Sequence, residues 1–295
     1  MKAVLFPGQG SQKVGMGQEL LESNGAGADL LRQADAIFDG QLLPVMLEGP
    51  MDVLTQTKWT QPAIFVHSMA LWREHQPDDG FFSFTAGHSL GEYGSLVVAD
   101  VLSFEEALYL VKKRGELMQQ AGENQPGTMA AVLGLDDETV ESICTRISRD
   151  NHHVVPANYN STGQIVLSGH ISAVHEAMEL LQSEGAKMVK ELTVSGAFHS
   201  PLMKSAEAEL ATAMDEVVFR PANMDVFSNV TATASRDPEE LKANLLSQLT
   251  GSVRWTQTME AVHGLGVDSI TECGPGVVLQ KMWKRSYPET TIEPL

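Results

Sequence analysis

Ser89 lies in Gly87-His88-Ser89-Leu90-Gly91, a G-x-S-x-G pattern in which a serine is raised on a tight turn between a strand and a helix. The glycines answer a physical demand. The turn needs strained backbone angles and small neighbours, or the hydroxyl cannot stand clear of it. The amides and positive dipole end of the following helix face the same place, where an oxyanion would be welcome. Ser89 is therefore the candidate nucleophile. Of the nine histidines, His199 is the candidate base. It sits in Ser195-Gly196-Ala197-Phe198-His199-Ser200 among small residues, in a loop just before a helix. That setting predicts a mobile, exposed side chain. His67, at helical spacing from Ile64 and Met69, reads instead as a satisfied interior histidine.

These groups need elements to hold them. Phe81-Phe82-Ser83-Phe84 reads as the strand entering the turn, and Tyr93 to Leu110 has the apolar spacing of the helix leaving it. At the N-terminus, Lys2 to Phe6 is a short core strand stopped by Pro7-Gly8-Gln9-Gly10-Ser11-Gln12, with a helix from about Met16. The glycines of this loop fit neither nucleotide-binding pattern. The loop reads as backbone that approaches the serine and donates an N–H to an oxyanion hole, beside the N–H of Leu90. Helices follow to about Glu74; Pro62 suits the first turn of the last, with Thr60 as its cap. Ser103 and Glu106 form a capping box that starts a helix through Met118. Strands at Val226–Asn229 and Ser269–Cys273 complete the core, and Gly274-Pro275-Gly276 opens a final helix.

Between these parts the pattern changes. Met129–Gly134, Val154–Asn158, Gln164–Ser168 and Lys187–Val194 read as strands, with helices over Asp136–Ile147 and Ile171–Glu184. The order β-α-β-β-α-β is that of the ferredoxin-like unit. The expected fold class is α/β: a large α/β-hydrolase-like domain with a parallel-sheet core over 1–126 and 196–295, interrupted by a small ferredoxin-like subdomain over 127–195. A cleft between the two is a natural ligand site.

The whole chain bounds the function. Its 295 residues are 43% hydrophobic and 20% charged, ordinary values for a globular protein. No apolar run reaches the length of a membrane span, and the stretch before Pro7 is too short for a signal peptide. The two cysteines, Cys144 and Cys273, form no framework, which suits a reducing cytoplasm. A net charge of -18 argues against nucleic acid and requires a local basic patch for any anionic ligand. Lys112-Lys113-Arg114 and Lys281, Lys284 and Arg285 are the available clusters; on their own they read as solvated helix ends.

Taken together, Phe6-Pro7-Gly8-Gln9-Gly10-Ser11-Gln12, Gly87-His88-Ser89-Leu90-Gly91-Glu92, Arg114, Asn158-Tyr159-Asn160-Ser161, Gly196-Ala197-Phe198-His199-Ser200, Gln248-Leu249, Val253-Arg254-Trp255 and Gly274-Pro275-Gly276 give a specific resemblance over nearly the whole chain. The chain resembles the malonyl-CoA:acyl carrier protein transacylase family, and is especially similar to the free-standing acyltransferases that serve polyketide synthases. Tyr93-Gly94-Ser95 and Ser195-Gly196 lean towards that polyketide branch, with fatty-acid synthesis as the alternative pathway.

The resemblance implies ping-pong transfer of a malonyl group from malonyl-CoA to the phosphopantetheine thiol of an acyl carrier protein, through an ester on Ser89, with His199 as base and acid. It implies an oxyanion hole from the N–H groups of Gln9 and Leu90, and a histidine oriented by the backbone carbonyl of Gln248. No aspartate is placed for that third role, so a Ser-His dyad is expected. Arg114 becomes the clamp for the malonyl carboxylate, by two parallel hydrogen bonds. Asn160, Phe198 and His88 complete the pocket, with Phe198 leaving little room for an α-methyl branch. No permanently bound cofactor, no metal, no membrane and no nucleic acid are expected, and the resemblance suggests a cytoplasmic monomer. A hydrolase that clears acyl groups from carrier proteins would use the same Ser89 and His199, but would have no use for Arg114. A non-catalytic scaffold that docks carrier proteins is disfavoured by the intact Ser89, His199 and Arg114. A secreted lipase is disfavoured by the missing signal peptide and by the insert.

Overall fold

The computed structural model describes residues 1–76 and 80–295. Its strands are β1 (Lys2–Phe6), β2 (Phe84–Gly87), β3 (Gly127–Leu133), β4 (Val154–Ser161), β5 (Gln164–His170), β6 (Met188–Glu191), β7 (Asp225–Phe227), β8 (Ala234–Ser235), β9 (Ser269–Glu272) and β10 (Thr291–Ile292). They make two sheets. One has six strands in the order β10-β9-β1-β2-β7-β8, parallel except for the edge strand β8. The other has four antiparallel strands in the order β4-β5-β3-β6.

The helices run α1 (Gln18–Ser23), α2 (Ala26–Ile37), α3 (Leu42–Leu47), α4 (Met51–Leu54), α5 (Thr57–His75), α6 (Gly91–Val98), α7 (Phe104–Asn124), α8 (Asp137–Ile147), α9 (Ile171–Ser183), α10 (Lys204–Asp215), α11 (Pro238–Ser247), α12 (Trp255–Gly264) and α13 (Val278–Ser286). Three departures from the sequence reading have local causes. The strand entering the serine turn begins at Phe84, and Phe81 is an exposed ring under the Lys2 ammonium. The expected helix from Tyr93 to Leu110 is two: α6 ends at Val98, Asp100 takes a left-handed φ of 61°, and the Ser103–Glu106 capping box opens α7. Thr60 caps nothing and Pro62 lies inside α5, which starts at Thr57. The Thr60 hydroxyl donates instead to the Leu54 carbonyl at 2.5 Å.

The four-stranded sheet obeys the two-residue period of strands. On β3, Ala130 and Val132 pack with Val140, Ile143, Val174 and Leu181 of α8 and α9, while Met129 joins the main core; on β5, Ile165 and Leu167 face the helices and Val166 the main core. One face therefore holds its own helices and the other closes over the larger sheet. Its edge strand β4 is stitched on by backbone bonds, Tyr159 N–H to the Val253 carbonyl at 2.9 Å and Val253 N–H to Ala157 at 2.8 Å.

In the larger sheet β1, β2, β7 and β9 run parallel, so the segments leaving them gather along one edge, where open α/β sheets bind ligands. There the backbone is packed to contact. A β-carbon on Gly91 would run into the Phe6 carbonyl oxygen. Gly91→Ala should therefore cost at least about 2 kcal/mol in urea unfolding, the range for overpacking a filled site. Gly264→Ala, at the end of α12 with open space around it, should stay within about 1 kcal/mol of the native protein. Equal midpoints for the two variants would contradict this packing.

Candidate active site

Ser89 leaves β2 with a left-handed φ of 53°, a conformation that a non-glycine residue keeps only when its surroundings enforce it. The enforcement comes from Asn229, just past β7. Its Oδ1 accepts the Ser89 N–H and its Nδ2 donates to the Gly87 carbonyl, both at 2.6 Å. Gly8 backs the turn from the loop after β1, so close that a β-carbon there would meet the His88 carbonyl oxygen.

The Ser89 hydroxyl lies 2.8 Å from His199 Nε2, and His199 Nδ1 lies 2.8 Å from the Gln248 carbonyl oxygen. A carbonyl only accepts, so Nδ1 carries the proton and Nε2 presents its lone pair to the serine. His199 also has a left-handed φ, 55°. Against the expectation of a mobile, exposed group, it is only 4% exposed. The loop around it packs inward, and two residues far along the chain hold the ring. Burial, with the charge of Arg114 beside it, pulls the His199 pKa down to about 3.

Arg114 separates from its neighbours in sequence: Lys113 is exposed, whereas Arg114 is fully buried in α7. Its Nη1 donates to Gln61 Oε1 at 2.7 Å, and its Nη2 to Gln248 Oε1 at 2.9 Å and Ser89 Oγ at 3.2 Å. The α13 cluster stays on the surface, with Arg285 bonded to Gln164 and Lys284 to the Pro288 and Thr290 carbonyls.

A cavity of about 190 Å³ opens on these groups. Gln9, His88, Ser89, Leu90, Asn160, Phe198 and His199 line it, with Met118, Met129, Val166, Leu192, Val194 and Met282 forming much of an apolar wall. Arg114 and Gln248 lie just behind the serine. Among the described residues, the N–H groups of Gln9 and Leu90 donate to no protein acceptor. His88 donates from Nε2 to Asn160 Oδ1 at 2.8 Å, and desolvation holds its pKa below the ordinary value. The structure thus brings every singled-out site residue into one place. It adds three that the sequence reading gave no role: Asn229, Gln61 and Glu92. Each is a polar residue in an otherwise buried stretch, the one signal that could have marked it.

His67 is elsewhere. It is interior as expected, but its Nδ1 has no partner among the described residues, and burial with the charge of Lys13 lowers its pKa to about 4. Among the described residues no group of three or more His, Cys, Asp or Glu is placed to hold a metal ion, and no helix is long and apolar enough to cross a membrane.

Chemically, the arrangement offers a hydroxyl with a neutral base, two N–H donors that no acceptor among the described residues takes up, and a buried cation. The lowered His199 pKa keeps the imidazole neutral as pH falls. The rate at which phenylmethanesulfonyl fluoride modifies Ser89 should therefore hold within about threefold between pH 7.5 and 5.5. A base with the ordinary histidine pKa of about 6.5 would lose roughly tenfold. Such a loss would show that His199 titrates normally.

Comparison with known proteins gives a consistent set of relatives. A family model described as "Acyl transferase domain" matches residues 4–292. The malonyl CoA-acyl carrier protein transacylase of Staphylococcus aureus (strain MW2) is 44% identical over 286 residues, covering 96% of this chain and 91% of that protein. The one from Bacillus subtilis (strain 168) is 40% identical over 283 residues, covering 96% and 89%. Among solved structures, the malonyl CoA-acyl carrier protein transacylase of Coxiella burnetii superposes with a TM-score of 0.94 at 37% identity, covering 100% of this chain and 93% of that one. A type II polyketide synthase acyl-carrier protein in complex with its malonyl-transacylase also matches, with a TM-score of 0.94 at 36% identity and coverage of 100% and 95%.

Proposed function

The chain belongs to the acyl transferase domain family, and we infer that it moves a malonyl group from malonyl-CoA to an acyl carrier protein through an ester on Ser89. The observation that carries this reading is the sharing of one serine hydroxyl between a neutral histidine and a buried arginine.

In the first half-reaction the Ser89 proton passes to His199 Nε2 as Oγ attacks the thioester carbon. The oxyanion that forms is met by the N–H groups of Gln9 and Leu90. Collapse expels the CoA thiolate, which takes the proton from His199, and leaves malonyl-Ser89. In the second half the phosphopantetheine thiol gives its proton to His199 and attacks the ester, and Ser89 recovers the proton as it leaves. The Gln248 carbonyl holds the imidazole in one tautomer throughout.

Arg114 selects the acyl group. It binds the malonyl carboxylate in a charge-assisted pair, and that pairing also relieves the repulsion that the guanidinium exerts on a protonated His199. The carboxylate thus helps both binding and proton transfer, and an acetyl group lacks both aids. Phe198, in the wall, disfavours an α-methyl branch by about 1–3 kcal/mol. Of the two sheets, we read residues 127–195 as a ferredoxin-like insert in an α/β-hydrolase-like domain over 1–126 and 196–295. The separate core under β3 and β5 supports that division. The protein is read as a cytoplasmic monomer without resident cofactor, a setting that suits the free, buried Cys144 and Cys273.

Intact-protein mass spectrometry after brief incubation with malonyl-CoA tests the reading. A malonyl adduct is expected on the native protein, none on Ser89→Ala, and at least about tenfold less on Arg114→Ala. Adding a carrier protein should discharge the adduct. Turnover to free malonate without a carrier would point to the hydrolase, and an unmodified native protein would end the transferase reading.

A further inference from the structure

Glu92 stands in the first turn of α6, where a glutamate usually faces solvent. Here it is 1% exposed. Its Oε2 accepts from Gln248 Nε2 at 2.7 Å and from the Asn229 backbone N–H at 3.1 Å, while its Oε1 has no partner among the described residues. Burying a carboxylate costs several kcal/mol unless bonds and opposite charge offset it. The obvious counter-charge is Arg114, yet Arg114 directs its donors to Gln61, Ser89 and Gln248. The two charges are bridged by an amide.

The bridge has a polarity. A glutamine amide fits a cavity either way round unless its neighbours choose. Glu92 Oε2 and the Ser89 carbonyl both accept from Gln248 Nε2, at 2.7 and 2.9 Å, so the nitrogen must face them. That leaves Oε1 for the guanidinium. The reversed amide would set NH2 against the donors of Arg114. Burial pushes the Glu92 pKa up to about 7, against the bonds from Gln248 and Asn229, the charge of Arg114 and the nearby Ser228 hydroxyl, which makes no hydrogen bond to Oε1. The unpartnered Oε1 can take that proton, so Oε2 remains an acceptor in either form.

We propose that Glu92 is a positioning residue: through Gln248 it fixes the Arg114 guanidinium against Ser89 and thereby sets the preference for a carboxylate-bearing acyl group. The proposal rests on the roles given above to Ser89 and Arg114. It separates two rates on the same serine: acylation by malonyl-CoA, which needs the clamp, and modification by phenylmethanesulfonyl fluoride, which does not.

The test measures both rates on the full chain for Glu92→Gln, Glu92→Met and Glu92→Asp. In Glu92→Gln the amide oxygen replaces Oε2, and both rates should stay within about threefold of native. In Glu92→Met the malonylation kcat/KM should fall at least about tenfold further than the sulfonylation rate, with a raised KM for malonyl-CoA. Glu92→Asp keeps the charge but withdraws the acceptor, and should split the rates in the same direction; it carries the test if Glu92→Met does not fold. Equal losses in both rates would reduce Glu92 to a structural residue and overturn the proposal, as would a Glu92→Gln protein as impaired as Glu92→Met. Failure of the underlying reading is distinguishable, because the native protein would then acquire no malonyl adduct at all.

Discussion

A guanidinium buried beside a serine hydroxyl, with no carboxylate in contact with it among the described residues, is the constraint to which the rest of the site answers. Arg114 cannot shed its charge, so its surroundings must supply acceptors. They come from α5 through Gln61, from the turn through Ser89, and from the end of α11 through Gln248. The Tyr93 ring covers another side, 5.7 Å from the guanidinium carbon. The same Gln248 that accepts from Arg114 orients His199, so the cation and the base share one support.

The topology makes this convergence possible. Parallel strands deliver their following segments to one edge, and the loops after β1, β2 and β7 contribute Gly8 and Gln9, Ser89, and Asn229 there. The second sheet supplies the opposite wall through the alternate residues that its own helices do not cover. Met129 and Val166 are core residues and cavity residues at once.

What could be read from the chain was what local sterics or short-range bonding dictates. The glycines around Ser89 are legible because no β-carbon fits there, and the Ser103 cap because its partner Glu106 lies within the same turn. The strands β3 and β5 were legible as short apolar runs bounded by turn residues, a local property; which of their residues face the main core was not. The left-handed turn at Asp100 was not: the Ser103 cap marked where α7 opens, but the apolar spacing runs on across Asp100 and hid the end of α6. Nor was the burial of His199, whose small neighbours read as an open loop until Gln248 and Arg114 are brought in from other elements. Asn229 and Glu92 were hidden for the same reason: their bonds join distant parts of the chain, 137 residues apart for that pair. Periodicity cannot say which buried polar group will meet which.

The two amide oxygens on Arg114 also leave its charge uncancelled. Gln61 and Gln248 each accept from one of its terminal nitrogens, and a neutral amide satisfies a donor without neutralising it. The guanidinium has more N–H donors than the protein acceptors that meet it among the described residues, so it keeps bonding capacity as well as charge. The cation is solvated by tethered dipoles, as an ion would be in a polar solvent whose molecules could not turn away.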